Sequence, residues 1–208
     1  MQITWAGNHT IKITSKDEVI VLDPYSPETG LTPFRSKATI VGLTNPQEKN
    51  SSHISGIQGE PTIINTPGEY AIRGFTLYAL GWSGEDNVER NIQLWGIEDM
   101  LLLHVGALNR DLTDQELQAI EKIGIDILFL PVGGGSGLSL KQAINLMTTI
   151  EPRVVIPINY RLPGNKEELD GVDKFAKELG ISVSPIDKLV IKANKLPSEE
   201  METVILKP

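Results

Sequence analysis

Cysteine is absent from these 208 residues. That excludes disulfides, thiolate metal sites and cysteine nucleophiles together. Histidine is nearly as scarce, with His9, His53 and His104 as the whole supply. A two-metal site of nitrogen and carboxylate ligands needs more imidazoles than that, unless carboxylates take over. Basic charge is also short: 19 Lys and Arg stand against 27 Asp and Glu, for a net charge of −8. Gripping nucleic acid by its phosphates takes a basic surface, so no nucleic-acid partner is expected. No apolar run reaches the length of a membrane span, and no signal segment precedes the first strand pattern. The expectation is a cytoplasmic protein without membrane contact.

What is present is ordinary for a soluble globular protein, with 40% hydrophobic and 22% charged residues. The length suits one domain over residues 1–208, read as two fused halves of about 1–105 and 106–208 that share a core. Apolar runs bounded by turn residues predict strands over 2–5, 9–14, 19–22, 38–43, 61–65, 75–80, 91–95 and 100–105. Asp23-Pro24 ends the third, because Pro cannot continue a ladder. Residues 25–37 read as a polar loop long enough to cover a cleft, and 51–57 as a helical turn or irregular chain. Residues 66–70 read as a turn, 82–90 as a polar link, and 96–99 as the turn of a hairpin.

After Gly106 the rhythm changes. Helices are predicted over 115–123, 139–149 and 166–179, alternating with strands over 125–130 and 153–158. Thr113 caps the first helix, Glu151-Pro152 stops the second and Gly180 ends the third. Closing strands are expected over 183–191 and 204–206. Strands first and helix–strand alternation afterwards predict two packed sheets with helices outside, a four-layer αββα sandwich of the α/β class.

Residues 44–50 read Thr-Asn-Pro-Gln-Glu-Lys-Asn. They begin where a buried strand delivers the backbone to the rim of a sheet, a usual position for chemistry in α/β folds. Around them, six stretches in register resemble the metallo-β-lactamase superfamily, in the branch similar to ascorbate-6-phosphate lactonase. These are Trp5-Ala6-Gly7-Asn8, Leu22-Asp23-Pro24, Thr66-Pro67-Gly68-Glu69-Tyr70, His104-Val105-Gly106-Ala107-Leu108, Leu130-Pro131-Val132-Gly133-Gly134 and Ile156-Pro157-Ile158-Asn159-Tyr160. The resemblance runs from about residue 2 to residue 160 and implies the metallo-β-lactamase-like sandwich.

It also implies a metal loop of the form Thr-His-x-His-x-Asp-His, in which converging imidazoles and a carboxylate hold two cations. At the matching positions this chain carries Asn45, Gln47, Lys49 and Asn50. The family's bridging Asp falls on Ala107 and its late His on Asn159. Its middle His falls near residues 83–86, where there is no histidine. Amides bind transition metals poorly, a methyl group does not bind them, and an ammonium repels them. The departures therefore imply no metal and no other cofactor.

The loop has two readings. Lys49 with Asn45, Gln47, Asn50 and Asn159 can form a pocket whose ammonium stands in for lost metal charge and holds a phosphate, carboxylate or sugar acid. The plainer reading, which is favoured, is a solvated loop whose amides form turns and caps. Glu69, Asp23 and Glu85 can serve Mg²⁺ or Ca²⁺ only if they converge. His104 is expected to be a hydrogen-bonded core residue, and His9 and His53 to be structural or exposed. Residues 133–137 are glycine-rich but lack the Gly-Lys-Ser/Thr of a phosphate loop, so a tight turn explains them. No Gly-x-Ser-x-Gly elbow occurs. The leading expectation is a metal-free binding or interaction module for an unidentified small anion or protein partner. The alternative is a lactonase- or phosphodiesterase-like hydrolase with an altered metal site, and a third is a structural subunit paired with an active relative. Homo- and hetero-oligomers both stay open.

Overall fold

Alternation builds the first sheet. In β1 (Gln2–Gly7), β2 (Thr10–Ser15) and β3 (Glu18–Leu22) every second side chain, among them Ile3, Trp5, Ile11, Ile13, Ile20 and Leu22, turns into the core. A slip of one residue would move that set to the other face, so the antiparallel register is tightly specified. The computed structural model describes residues 1–49, 52–83 and 88–208. β4 (Ser36–Lys37) and β6 (Ile57–Gln58) form a small parallel pair, while β5 (Ile40–Gly42) and β7 (Thr62–Ile64) extend the first sheet beside β3.

The second sheet gathers β8 (Gly68–Ile72), β9 (Phe75–Ser83), β10 (Glu89–Ile97), β11 (Met100–His104), β12 (Ile127–Pro131) and β13 (Val154–Ile158). Short strands close both edges: β14 (Leu189–Val190) pairs with β1, and β15 (Glu202–Thr203) pairs with β13. The sheets pack face to face around one core. At Gly42 the approach is so close that a Cβ would strike Gln93 Oε1, with Leu22 and Trp95 also pressing. α1 (Asp114–Glu121) and α2 (Leu140–Ile150) each begin with a capping box, Thr113 with Glu116 and Ser139 with Gln142. α3 (Val172–Leu179) stops at Gly180, whose φ of 68° suits a helix end. The result is the expected α/β sandwich. Among the described residues no helix is long and apolar enough to cross a membrane.

Several expectations need correction. Residues 68–72 form a strand, because Gly68 to Ile72 pair with β9 across a hairpin. Trp82 and Arg90 lie on extended strands and face each other in register, so the hairpin is longer than a polar link. The third helix starts at Val172 and not at residue 166. The preceding segment spends its backbone groups elsewhere: Lys166 N donates to Thr29 O, Asp170 N to Gly133 O, and Asp170 O accepts from Arg161 N. Helical bonds would have to replace those tertiary ones. Of residues 183–191 only Leu189 and Val190 become strand, and the tail contributes Glu202 and Thr203 instead of 204–206.

Candidate functional site

The site grows from the end of β3. Asp23 takes a left-handed φ of 42°, which swings its carboxylate beneath the ends of β5 and β11. There Oδ1 accepts from the Thr44 backbone N–H at 2.7 Å, and Oδ2 accepts from the Thr44 hydroxyl at 2.6 Å. His104 Nε2 lies 2.7 Å from the same Oδ2, which puts the ring proton on that nitrogen. Thr10 adds a bond from its hydroxyl to Asp23 O and accepts from Tyr25 N. Asp23 and His104 are wholly shut off from solvent. A buried carboxylate is costly unless donors surround it, and here three do. Gly106, at a φ of 53°, is pressed so tightly against Thr44 that a Cβ would collide with its hydroxyl. His104 is therefore the hydrogen-bonded core histidine that the sequence suggested.

Above this floor opens a cleft of about 640 Å³. Asn45 follows Thr44, Ala107 follows Gly106, and Asn159 follows the end of β13; all three line it. The Asn45 loop is tied to the core by a relay of buried amides. Trp95 Nε1 donates to Gln93 Oε1, Gln93 Nε2 to Asn91 Oδ1, and Asn91 Nδ2 to Leu43 O. Asn91 N also donates to Thr44 O at 2.8 Å. Asn159 is held by its own backbone, donating from N to Asn8 O and accepting at O from Gly133 N. Its φ of 48° is left-handed, like those of Asn8 and Asp23 on the same cleft. Strain of this sort persists only where the surroundings hold it.

The walls are left with open valences. Asn45 Oδ1, Asn159 Oδ1 and His9 Nδ1 are buried and have no hydrogen-bond partner among the described residues. Burial pushes the His9 imidazole down to about 4, against the pull of Asp23 and with a further push from His104. It is neutral at ordinary pH. Charge comes from Glu48, Glu167 and Glu168 on one hand and Arg90 on the other. Partial burial, and after it the charge of Glu48, raises the Glu167 carboxyl above its usual range. Arg90 donates to Val88 O and lies 5.2 Å from the centre of the Trp82 ring. Arg110 lies 5.1 Å from the same ring and grips Glu116 with two bonds of 2.8 Å.

Three of the six site residues expected from the sequence come together: Asn45, Ala107 and Asn159. Gln47 and Lys49 do not. Both are exposed and off the cleft walls, because the Glu48 N to Asn45 O bond turns the chain outward just after the strand end. Among the described residues the cation on the cleft is thus Arg90 and not Lys49. Asn50, Glu85 and most of the 83–86 stretch lie outside the described residues. Glu69 is exposed on β8, apart from Asp23. Sequence reasoning missed His9, Glu48, Arg90 and Glu167. Glu48 sat inside the suspected loop, and Arg90 would have followed from a longer hairpin. Nothing in the local pattern marks His9 or Glu167. His53 stands elsewhere, its Nε2 2.6 Å from Ser55 Oγ. The glycine-rich stretch forms the expected turn, with Gly135, Ser136 and Gly137 on the cleft rim.

Residues 2–159 match the beta-lactamase superfamily domain. A UPF0173 protein of Pyrococcus abyssi is 22% identical over 200 aligned residues, covering 86% of this chain and 90% of that protein. A second, from Pyrococcus furiosus, is 36% identical over 55 residues, 26% of this chain and 24% of that protein's length. The chain is also similar to the crystal structure of a suspected Zn-dependent hydrolase of the metallo-beta-lactamase superfamily from Thermotoga maritima. The TM-score is 0.80 at 25% identity, over 98% of this chain and 97% of that one. Among the described residues no three of His, Asp and Glu are gathered so as to hold a metal ion.

Proposed function

The chain belongs to the beta-lactamase superfamily, and from that premise we propose that it is a metal-independent binding module that holds a small polar molecule over the Asp23–His104 floor. One observation carries this: Asn45, Ala107 and Asn159 stand on the cleft walls at the positions where the resemblance expects metal-holding side chains. An amide is a weak ligand for zinc and a methyl group is none. Asp23, the carboxylate on the floor, already gives both oxygens to Thr44 and His104. The side chains of this cleft do not fit a zinc ion. A volume of about 640 Å³ is within the range of small-molecule sites.

Glu48, Glu167 and Glu168 favour a second reading, a hydrolase whose metal has moved onto carboxylates. Against it, no three such groups are gathered among the described residues. Zinc uptake and turnover, measured on one preparation, separate the two. The protein dialysed against zinc is expected to retain well under one equivalent and to show no zinc-dependent lactonase or phosphodiesterase turnover. One equivalent retained, with turnover that a chelator abolishes, would overturn the binding reading.

A further inference from the structure

We infer that the cleft selects a small protonated amine carrying hydroxyl groups, a ligand class that rests on the metal-free binding role just proposed. Among the described residues three carboxylates, Glu48, Glu167 and Glu168, share the walls with one guanidinium, Arg90, and the Asp23 carboxylate lies beneath them. An anion entering this cleft meets an excess of like charge, whereas an ammonium relieves it. Glu48 and Glu167 stand close enough for their charges to repel, and a cation bound between them relieves that repulsion.

Independently of the charges, two amides wait for partners. Asn45 and Asn159 are only 5% and 4% exposed, and neither side chain is hydrogen-bonded within the described residues. Buried polar groups are nearly always paired, so an open pair on one cleft points to something that pairs them. An amide both donates and accepts, which is what a hydroxyl requires of its host. The neutral ring of His9, with Nδ1 also open, adds a third position without adding positive charge. Arg90 does not reverse the balance, because its one positive charge faces three wall carboxylates among the described residues.

Calorimetric titration of the full chain with glucosamine, glucose and glucuronate varies the ligand charge at nearly constant shape. Glucosamine is expected to bind at least ten-fold more tightly than glucose, and glucuronate more weakly than either. The double variant Glu48→Gln/Glu167→Gln should weaken glucosamine about ten-fold and leave glucose unchanged. Asn45→Ala should weaken both sugars alike. Glu48 and Glu167 lie on loops outside the hydrophobic core, so these variants should fold, and circular dichroism checks that they do. Glucuronate binding as tightly as glucosamine, equal affinity for glucosamine and glucose, or no uptake of glucosamine would each overturn the inference. None of those outcomes touches the metal-free reading, which only the zinc measurement can remove.

Discussion

The floor and the walls of the cleft follow opposite rules. On the floor three donors close on the Asp23 carboxylate, the residues are sealed from water, and Gly106 leaves no slack against Thr44, with only the far ring nitrogen of His104, Nδ1, lacking a partner among the described residues. On the walls, just past the ends of β5 and β13, Asn45 and Asn159 are nearly as buried but their side-chain oxygens are unpaired. The floor behaves as scaffold, since its bonds join β3, β5 and β11 through side chains from both sheets. The walls are where binding is proposed, since open polar groups destabilise a fold unless something else meets them.

The contrast breaks hardest at Asp23. Asp23→Ala strands the Thr44 N–H, its hydroxyl and the His104 ring inside the protein, and urea unfolding should show a loss of about 3–5 kcal/mol. Gly106→Ala attacks the same floor through shape. It forces a side chain into a left-handed position against Thr44, for an expected loss of about 2–4 kcal/mol by the same measurement.

His9 connects the two regions through pH. Its folded value of about 4 lies below the ordinary 6.5, so between those two pH values the unfolded chain binds more protons. Stability should therefore fall as pH drops from 6.5 towards 4, by at most about 1.4 kcal/mol per pH unit, and level off below that. His9→Gln should flatten the slope when both chains are melted across that range, and Glu167, whose raised carboxyl acts in the opposite sense, cancels in the comparison. The smallest effect belongs to the wall: Asn45→Ala removes a buried amide oxygen that bonds to nothing and should leave stability unchanged or raise it by about 1 kcal/mol. A loss of 2 kcal/mol there would mean that the walls are scaffold too.

Most of the fold could be read from the residues. Ile3, Trp5, Ile11 and Ile13 announce strands by their alternation, and Thr113 with Glu116 announces a helix start by its spacing. Such signals work because strand faces and helix caps depend on near neighbours. The errors fell where distant partners decide. Residues 166–171 carry helix-forming side chains but give their backbone bonds to Thr29 and Gly133. The site divided in the same way. Asn45, Ala107 and Asn159 were found because the resemblance puts the family's metal-holding positions there. Arg90 and Glu167 were not, since only the long β9–β10 hairpin and the fold-back of the 163–171 segment bring them to the cleft.

By itself the sequence determined which ligand types are scarce: there is no cysteine, and there are only three histidines. It also determined which faces of the strands are buried, because alternation and capping are local properties. Which side chains look into the same cavity was decided by tertiary structure alone. Asn8 and Asn159 lie far apart in the chain and meet through a single backbone bond at the ends of strands from two different sheets. No local pattern encodes such a meeting, because it is the packing of the two sheets that sets the distance.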